Sequence, residues 1–128
     1  MKIFLLVDDS PVIRKVAGRI LSDLGFVVVE AQDGLDALEA CRHNMPDAML
    51  VDWELPTMSG IEFIEEFQKL EDSQDTRILY CTSEIVISEM TKAKRAGCHA
   101  FMMKPFNREI LTHKIAEAGI KLSEPKAA

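Results

Sequence analysis

The chain has 128 residues, about the length of one ordinary domain, so one function is expected and not a division of labour. Hydrophobic residues make up 48% of it, enough for a buried core without disulfides or a structural metal, which argues against disorder. Fifteen Lys and Arg face 21 Asp and Glu, a net charge of −6, so binding to a polyanion through bulk electrostatics is excluded and nucleic acid is not an expected partner.

The first apolar run, Ile3 to Val7, is cut by Asp8 and Asp9, far short of the ~20 residues of a membrane span. Neither a signal peptide nor a membrane helix is expected, and the location is expected to be cytoplasmic. Ser10 and Pro11 then read as N-cap and first position of a helix. Its stripe is Ile13, Val16, Ala17, Ile20, Leu21 and Leu24, and Gly25 ends it. Further apolar runs follow at Phe26 to Val29, Ala48 to Val51, Ile78 to Cys81 and Ala100 to Met103. A helix between the third and fourth runs opens with Ser59 and Glu62 in capping-box spacing and turns Ile61, Ile64 and Phe67 toward a core. Gly97 closes the next helix. From about Lys121 to Ala128 the composition is that of a frayed end.

The runs are continuous and not alternating, as in strands buried on both faces. Five strand–helix alternations predict an α/β domain, a doubly wound, mostly parallel five-stranded sheet with five helices on both faces. Cys41, Cys81 and Cys98 are odd in number, lack CxxC spacing and lie in apolar stretches, which predicts reduced core thiols. His43, His99 and His113 share no ligand spacing with them, so no zinc site is expected.

In such a sheet, ligands sit outside the carboxyl ends of the strands. There the first run ends in Asp8 and Asp9, the third in Asp52, the fourth in Thr82 and Ser83, and the fifth in Lys104. Singly, each has an ordinary explanation: a carboxylate before a helix, a turn residue, a solvated lysine. Their joint placement at successive strand ends does not. Carboxylates converging to ~5 Å repel by roughly 3 kcal/mol per pair at an effective dielectric near 20, and a divalent cation relieves this. Oxygen donors that leave room for water and phosphate suit Mg²⁺. A carboxylate is a competent nucleophile toward a phosphoryl group, with Asp52 the candidate. Lys104 would supply positive charge to the transferred group, and Thr82 or Ser83 hydroxyl donors.

The motifs VDDS (Val7 to Ser10), DGLDAL (Asp33 to Leu38), VDWELPTMSG (Val51 to Gly60), TSE (Thr82 to Glu84) and KPF (Lys104 to Phe106) together make the chain resemble a receiver domain of two-component response regulators, of the stand-alone chemotaxis type. The resemblance runs end to end. It implies a flavodoxin-like strand order 2-1-3-4-5, for which such a receiver is itself a standard example, and a receiver domain at 1–120 followed by a short tail at 121–128. It implies Asp52 as phosphoacceptor. Asp8, Asp9 and Asp52, with the backbone carbonyl of Glu54, would be the Mg²⁺ ligands. Thr82 would be the switch hydroxyl, Phe101 the switch aromatic and Lys104 the phosphate-binding lysine, its bond to Pro105 cis. The chain departs from the common pattern at Leu55, where Met is frequent, and at Phe101, where Tyr is frequent. Glu54 and Glu84 stand two residues after the phosphoacceptor and the switch threonine, where side chains tune phosphate lifetime.

The function implied is a single-domain switch, not an enzyme. It would take a phosphoryl group from a histidine kinase or histidine phosphotransfer protein and change its binding to a protein target on the face of the fourth helix, fifth strand and fifth helix. Lys92, Lys94 and Arg95 mark that face. A monomer with no nucleic-acid or membrane partner is expected. Two other readings are a phosphorelay shuttle to a histidine phosphotransfer protein and, more weakly, an aspartate-nucleophile phosphatase. The latter usually needs a DxD motif, whereas Asp8 and Asp9 are adjacent.

Overall fold

A computed structural model describes residues 2–122. In chain order the elements are β1 (Ile3–Val7), α1 (Pro11–Asp23), β2 (Val27–Ala31), α2 (Gly34–His43), β3 (Ala48–Asp52), α3 (Gly60–Gln68), a 3-10 turn (Ser73–Asp75), β4 (Arg77–Thr82), α4 (Ile87–Ala96), β5 (Ala100–Met103) and α5 (Arg108–Glu117). All neighbouring strands pair in parallel, in the order β2-β1-β3-β4-β5. Five strands and five helices in this order bear out the expected doubly wound fold.

Successive side chains along a strand point to opposite faces, and the sheet therefore feeds two cores. Phe4 and Leu6 of β1, with Leu79 and Met102, pack against Leu21 of α1 and Leu111 and Ile115 of α5. Leu5 and Val7 of the same strand, with Met49, Val51 and Ile78, meet Leu38 of α2, Phe63 and Phe67 of α3 and Ala93 of α4. Burying a Leu, Ile or Phe fully contributes about 1.5–3 kcal/mol, so both faces hold the sheet. The order reverses between β1 and β3, whose following helices lie on opposite faces, and this opens a crevice at their carboxyl ends.

Helix ends follow local chemistry. Ser10 accepts the Ile13 N–H at 3.3 Å ahead of Pro11. Ser59 and Glu62 form the reciprocal capping box. Gly97 ends α4 at φ 117°, in the left-handed region that a side chain disfavours.

Burial on both faces holds for the central strands but not for the edges. Val27 of β2 and Met103 of β5 are 40% and 41% exposed, because an edge strand has a neighbour on one side only. β2 also starts one residue later than expected and runs on through Glu30 to Ala31. Phe26 lies outside the strand, buried edge-on against Phe4 at a ring separation of 5.1 Å. On α1, Ala17, Ile20 and Leu21 are buried but Val16 is exposed. All three cysteines are free and buried, and burial pushes their thiols up to about 12. Lys121 and Leu122 carry no regular structure; the rest of the expected tail lies outside the described residues.

Candidate functional site: an acidic cluster at the strand ends

The hydrophobic strands deliver their polar terminal residues to one rim. Asp8 follows β1 and is buried. Its N–H donates to the Ala31 carbonyl at 3.1 Å, its Oδ1 accepts the Ser10 N–H at 2.9 Å and its carbonyl accepts from Arg14 Nη1 at 2.7 Å. Asp9 is exposed beside it. Asp52 ends β3 with 4% exposure. The following turn is anchored by Trp53 N–H to the Cys81 carbonyl at 2.9 Å and by Gly60 N–H to the Trp53 carbonyl at 3.0 Å. Gly60 is required there, because a Cβ would collide with the Asp52 carbonyl.

One carboxylate oxygen from each of Asp8, Asp9 and Asp52 lies within 4.8 Å of the others. Lys104 reaches in from the end of β5, with Nζ 2.8 Å from Asp8 Oδ2 and 3.0 Å from Asp52 Oδ1. The bond from Lys104 to Pro105 is cis. Burial, followed by the Asp8 charge, pushes Asp52 up to about 6 although Lys104 pulls the other way. Burial by itself lowers Lys104, but its contacts with Asp8 and Asp52 outweigh that and leave it raised. One ammonium therefore does not fully compensate the carboxylates.

These residues suit a hard cation. The donors are all oxygen, and Asp52 Oδ1 is buried without an aligned hydrogen-bond donor, its neighbour being the ammonium ion pair. A cleft of about 410 Å³ is lined by Asp9, Asp52, Trp53, Glu54, Ser83 and Lys104 among others. It has room for a cation with its water and a phosphoryl group.

Thr82 and Phe101 take part in none of these contacts. Thr82 is buried, and its hydroxyl donates to the Glu84 carbonyl at 2.6 Å and accepts the Glu84 N–H at 3.1 Å. The hydroxyl is thus engaged by its own loop. Phe101 is half-buried, edge-on to Tyr80 with ring centroids 6.2 Å apart. Thr82 and Phe101 line a second cavity of about 650 Å³ between α4, β5 and α5, with Ile85, Met90, Lys94 and Ile110. Lys92, by contrast, pairs with Glu89 at 3.7 Å on its own helix. Two residues at the site were not foreseen: Arg14, and Glu30 of β2, which holds the Arg14 Nε at 2.9 Å. An arginine in a helix and a glutamate at the end of a strand carry no motif. Only the pairing of Leu6 with Glu30 and Val7 with Ala31 brings them together.

A family model for the response regulator receiver domain matches residues 4–116. The chain belongs to this family. It is 34% identical over 116 residues to the chemotaxis protein CheY of Pseudomonas aeruginosa, covering 90% of this chain and 93% of that one. The chemotaxis protein CheY4 of Vibrio cholerae superposes with a TM-score of 0.88 at 31% identity, over 92% of this chain and 98% of that one. A response regulator of Burkholderia pseudomallei, solved with a phosphorylated aspartic acid, a calcium ion and citrate, gives a TM-score of 0.82 at 28% identity, over 93% of this chain and 69% of that one. The receiver domain here is therefore a component of two-component signalling, of a class that works as phosphoacceptor switches and not as classical enzymes. No helix among the described residues is long and apolar enough to cross a membrane.

Proposed function

We propose that the receiver domain, residues 1–120, takes a phosphoryl group onto Asp52 from a histidine kinase or histidine phosphotransfer protein and thereby changes its binding to a protein target. The observation that carries this reading is the convergence of three carboxylates within 4.8 Å, with Lys104 held between two of them. Asp8, Asp9, Asp52 and the backbone carbonyl of Glu54 would hold Mg²⁺, which when bound neutralises charge on the phosphoryl oxygens. The phosphorylated aspartic acid and calcium ion of the Burkholderia pseudomallei relative support the same assignment.

The residues of the chain divide the work. Asp52 offers a buried carboxylate oxygen whose neighbour is the Lys104 ammonium at 3.0 Å. Lys104 supplies a fixed positive charge, and attack does not have to wait for it to be brought in. Once anionic oxygens are present, Thr82 exchanges its bond to the Glu84 carbonyl for one to the phosphoryl group. The loop before α4 is then released, and Phe101 follows into the space beside Thr82. The output surface is the α4–β5–α5 face, where Thr82 and Phe101 line the larger cavity. Moving such an equilibrium from 1:99 to 99:1 takes ~5.5 kcal/mol, within reach of several charge-assisted bonds acting together.

The test is incubation with acetyl phosphate and Mg²⁺, followed by intact mass and peptide mapping. One phosphoryl group per chain on Asp52 is expected, and no labelling when EDTA is present from the start or in Asp52→Asn. Labelling of Asp52→Asn to the wild-type level, or steady turnover of phosphomonoesters, would refute the reading.

A further inference from the structure

The acidic cluster is held from outside by a residue that does not touch the phosphoryl cleft. Arg14, on the first turn of α1, is 16% exposed in its side chain. Its guanidinium makes two separate contacts, Nη1 to the Asp8 carbonyl at 2.7 Å and Nε to Glu30 Oε1 at 2.9 Å. The α1 helix is itself tied to the same turn, since the Arg14 N–H donates to the Ser10 carbonyl at 3.1 Å. Asp8 is thus fixed at its N–H by β2, at its carbonyl by Arg14, at Oδ1 by Ser10 and at Oδ2 by Lys104.

We propose that Arg14 is a positioning residue for the cation site: held by Glu30, it clamps the Asp8 carbonyl and sets the angle at which the Asp8–Asp9 turn presents its carboxylates. The inference rests on the metal-dependent reading above. A guanidinium suits this task because its planar fork serves two acceptors in different directions at once, which an ammonium on a flexible stem does not. Glu30 has a second effect. By pairing with Arg14 it cancels a positive charge that would otherwise lie beside a site built to attract a cation.

That pairing gives the test a direction. Replacing Arg14 with Met removes a cation and leaves Glu30 uncompensated, and both changes favour Mg²⁺ on electrostatic grounds. Positioning predicts the opposite. Trp53 lines the cleft and is the only tryptophan, so Mg²⁺ is titrated by its fluorescence in wild type, Arg14→Met and Arg14→Lys. Unfolding midpoints in EDTA are measured in parallel. Mg²⁺ binding about tenfold weaker is expected for Arg14→Met, a usual size for losing a group that orients a metal ligand. Arg14→Lys, which keeps the charge but not the fork, is expected to bind at least threefold more weakly than wild type. If Arg14→Met does not fold, the lysine variant decides. Affinity within twofold of wild type in the folded variant, or tighter, overturns the proposal. A wild-type protein that shows no saturable Mg²⁺ response would instead refute the metal-dependent function, so the two failures are separable.

Discussion

Neutralising Asp52 is expected to stabilise the metal-free protein, and to do so only above a definite pH. The Asp52 carboxyl is lifted from its ordinary 3.8 to about 6 by burial and by Asp8. At about 1.36 kcal/mol per pH unit, the charged form therefore costs the folded state about 3 kcal/mol relative to the unfolded chain. Because the folded value is the higher one, the folded state holds the proton more tightly. The associated stability is present in full below pH 3.8 and is lost as the pH rises through about 6. Asparagine cannot ionise and escapes the loss. Urea unfolding of wild type and Asp52→Asn in EDTA, from pH 4 to pH 7.5, should show nearly equal stabilities at the acid end. At the neutral end the variant should lead by about 1–3 kcal/mol, or roughly 5–10 °C in Tm. Saturating Mg²⁺ at about 100 times its Kd should return about 2.7 kcal/mol to the wild type and close the gap. An Asn variant no more stable than wild type at pH 7.5 in EDTA, or a difference that does not change with pH, would refute the reasoning.

Lys104→Met leaves Asp8 and Asp52 facing one another without their shared ammonium; about 3 kcal/mol lower stability in EDTA is expected by urea unfolding, with much of it restored by Mg²⁺. Gly60→Ala drives a methyl into the Asp52 carbonyl and to 3.0 Å from both Trp53 Cα and Tyr80 Cε1, so a loss of about 1–3 kcal/mol and slower labelling by acetyl phosphate should follow. Cys41, Cys81 and Cys98, buried and pushed up to about 12, should resist a thiol reagent at pH 8 in the native protein and all react in urea, as counted by absorbance.

The fold was legible because its strongest signals are local. Five apolar runs, a Ser–Pro helix start, the Ser59 capping box and Gly97 each specify their own segment, and a parallel sheet with helical crossovers follows from their alternation. The edges were less so, since continuous apolar sequence does not say which strand has a neighbour on one side only. Val27 and Met103, on the two edge strands, keep much of their surface in solvent.

The acidic cluster was legible for a related reason. Asp52 ends a hydrophobic strand and Asp8, Asp9 and Lys104 follow directly on two others, and a parallel sheet carries all such ends to one rim. What could not be read is how the side chains are engaged once they arrive. Nothing in TSE indicates that the Thr82 hydroxyl is occupied by the backbone of Glu84. Arg14 and Glu30 are silent for a deeper reason, because their contact depends on the register of β1 against β2 and on the rotation of α1 about its axis. Strand-end chemistry is set by sequence position, whereas the residues that hold it in place are chosen by packing. The second group is the part of a receiver domain that a motif search passes over, and Arg14 is where its contribution becomes measurable.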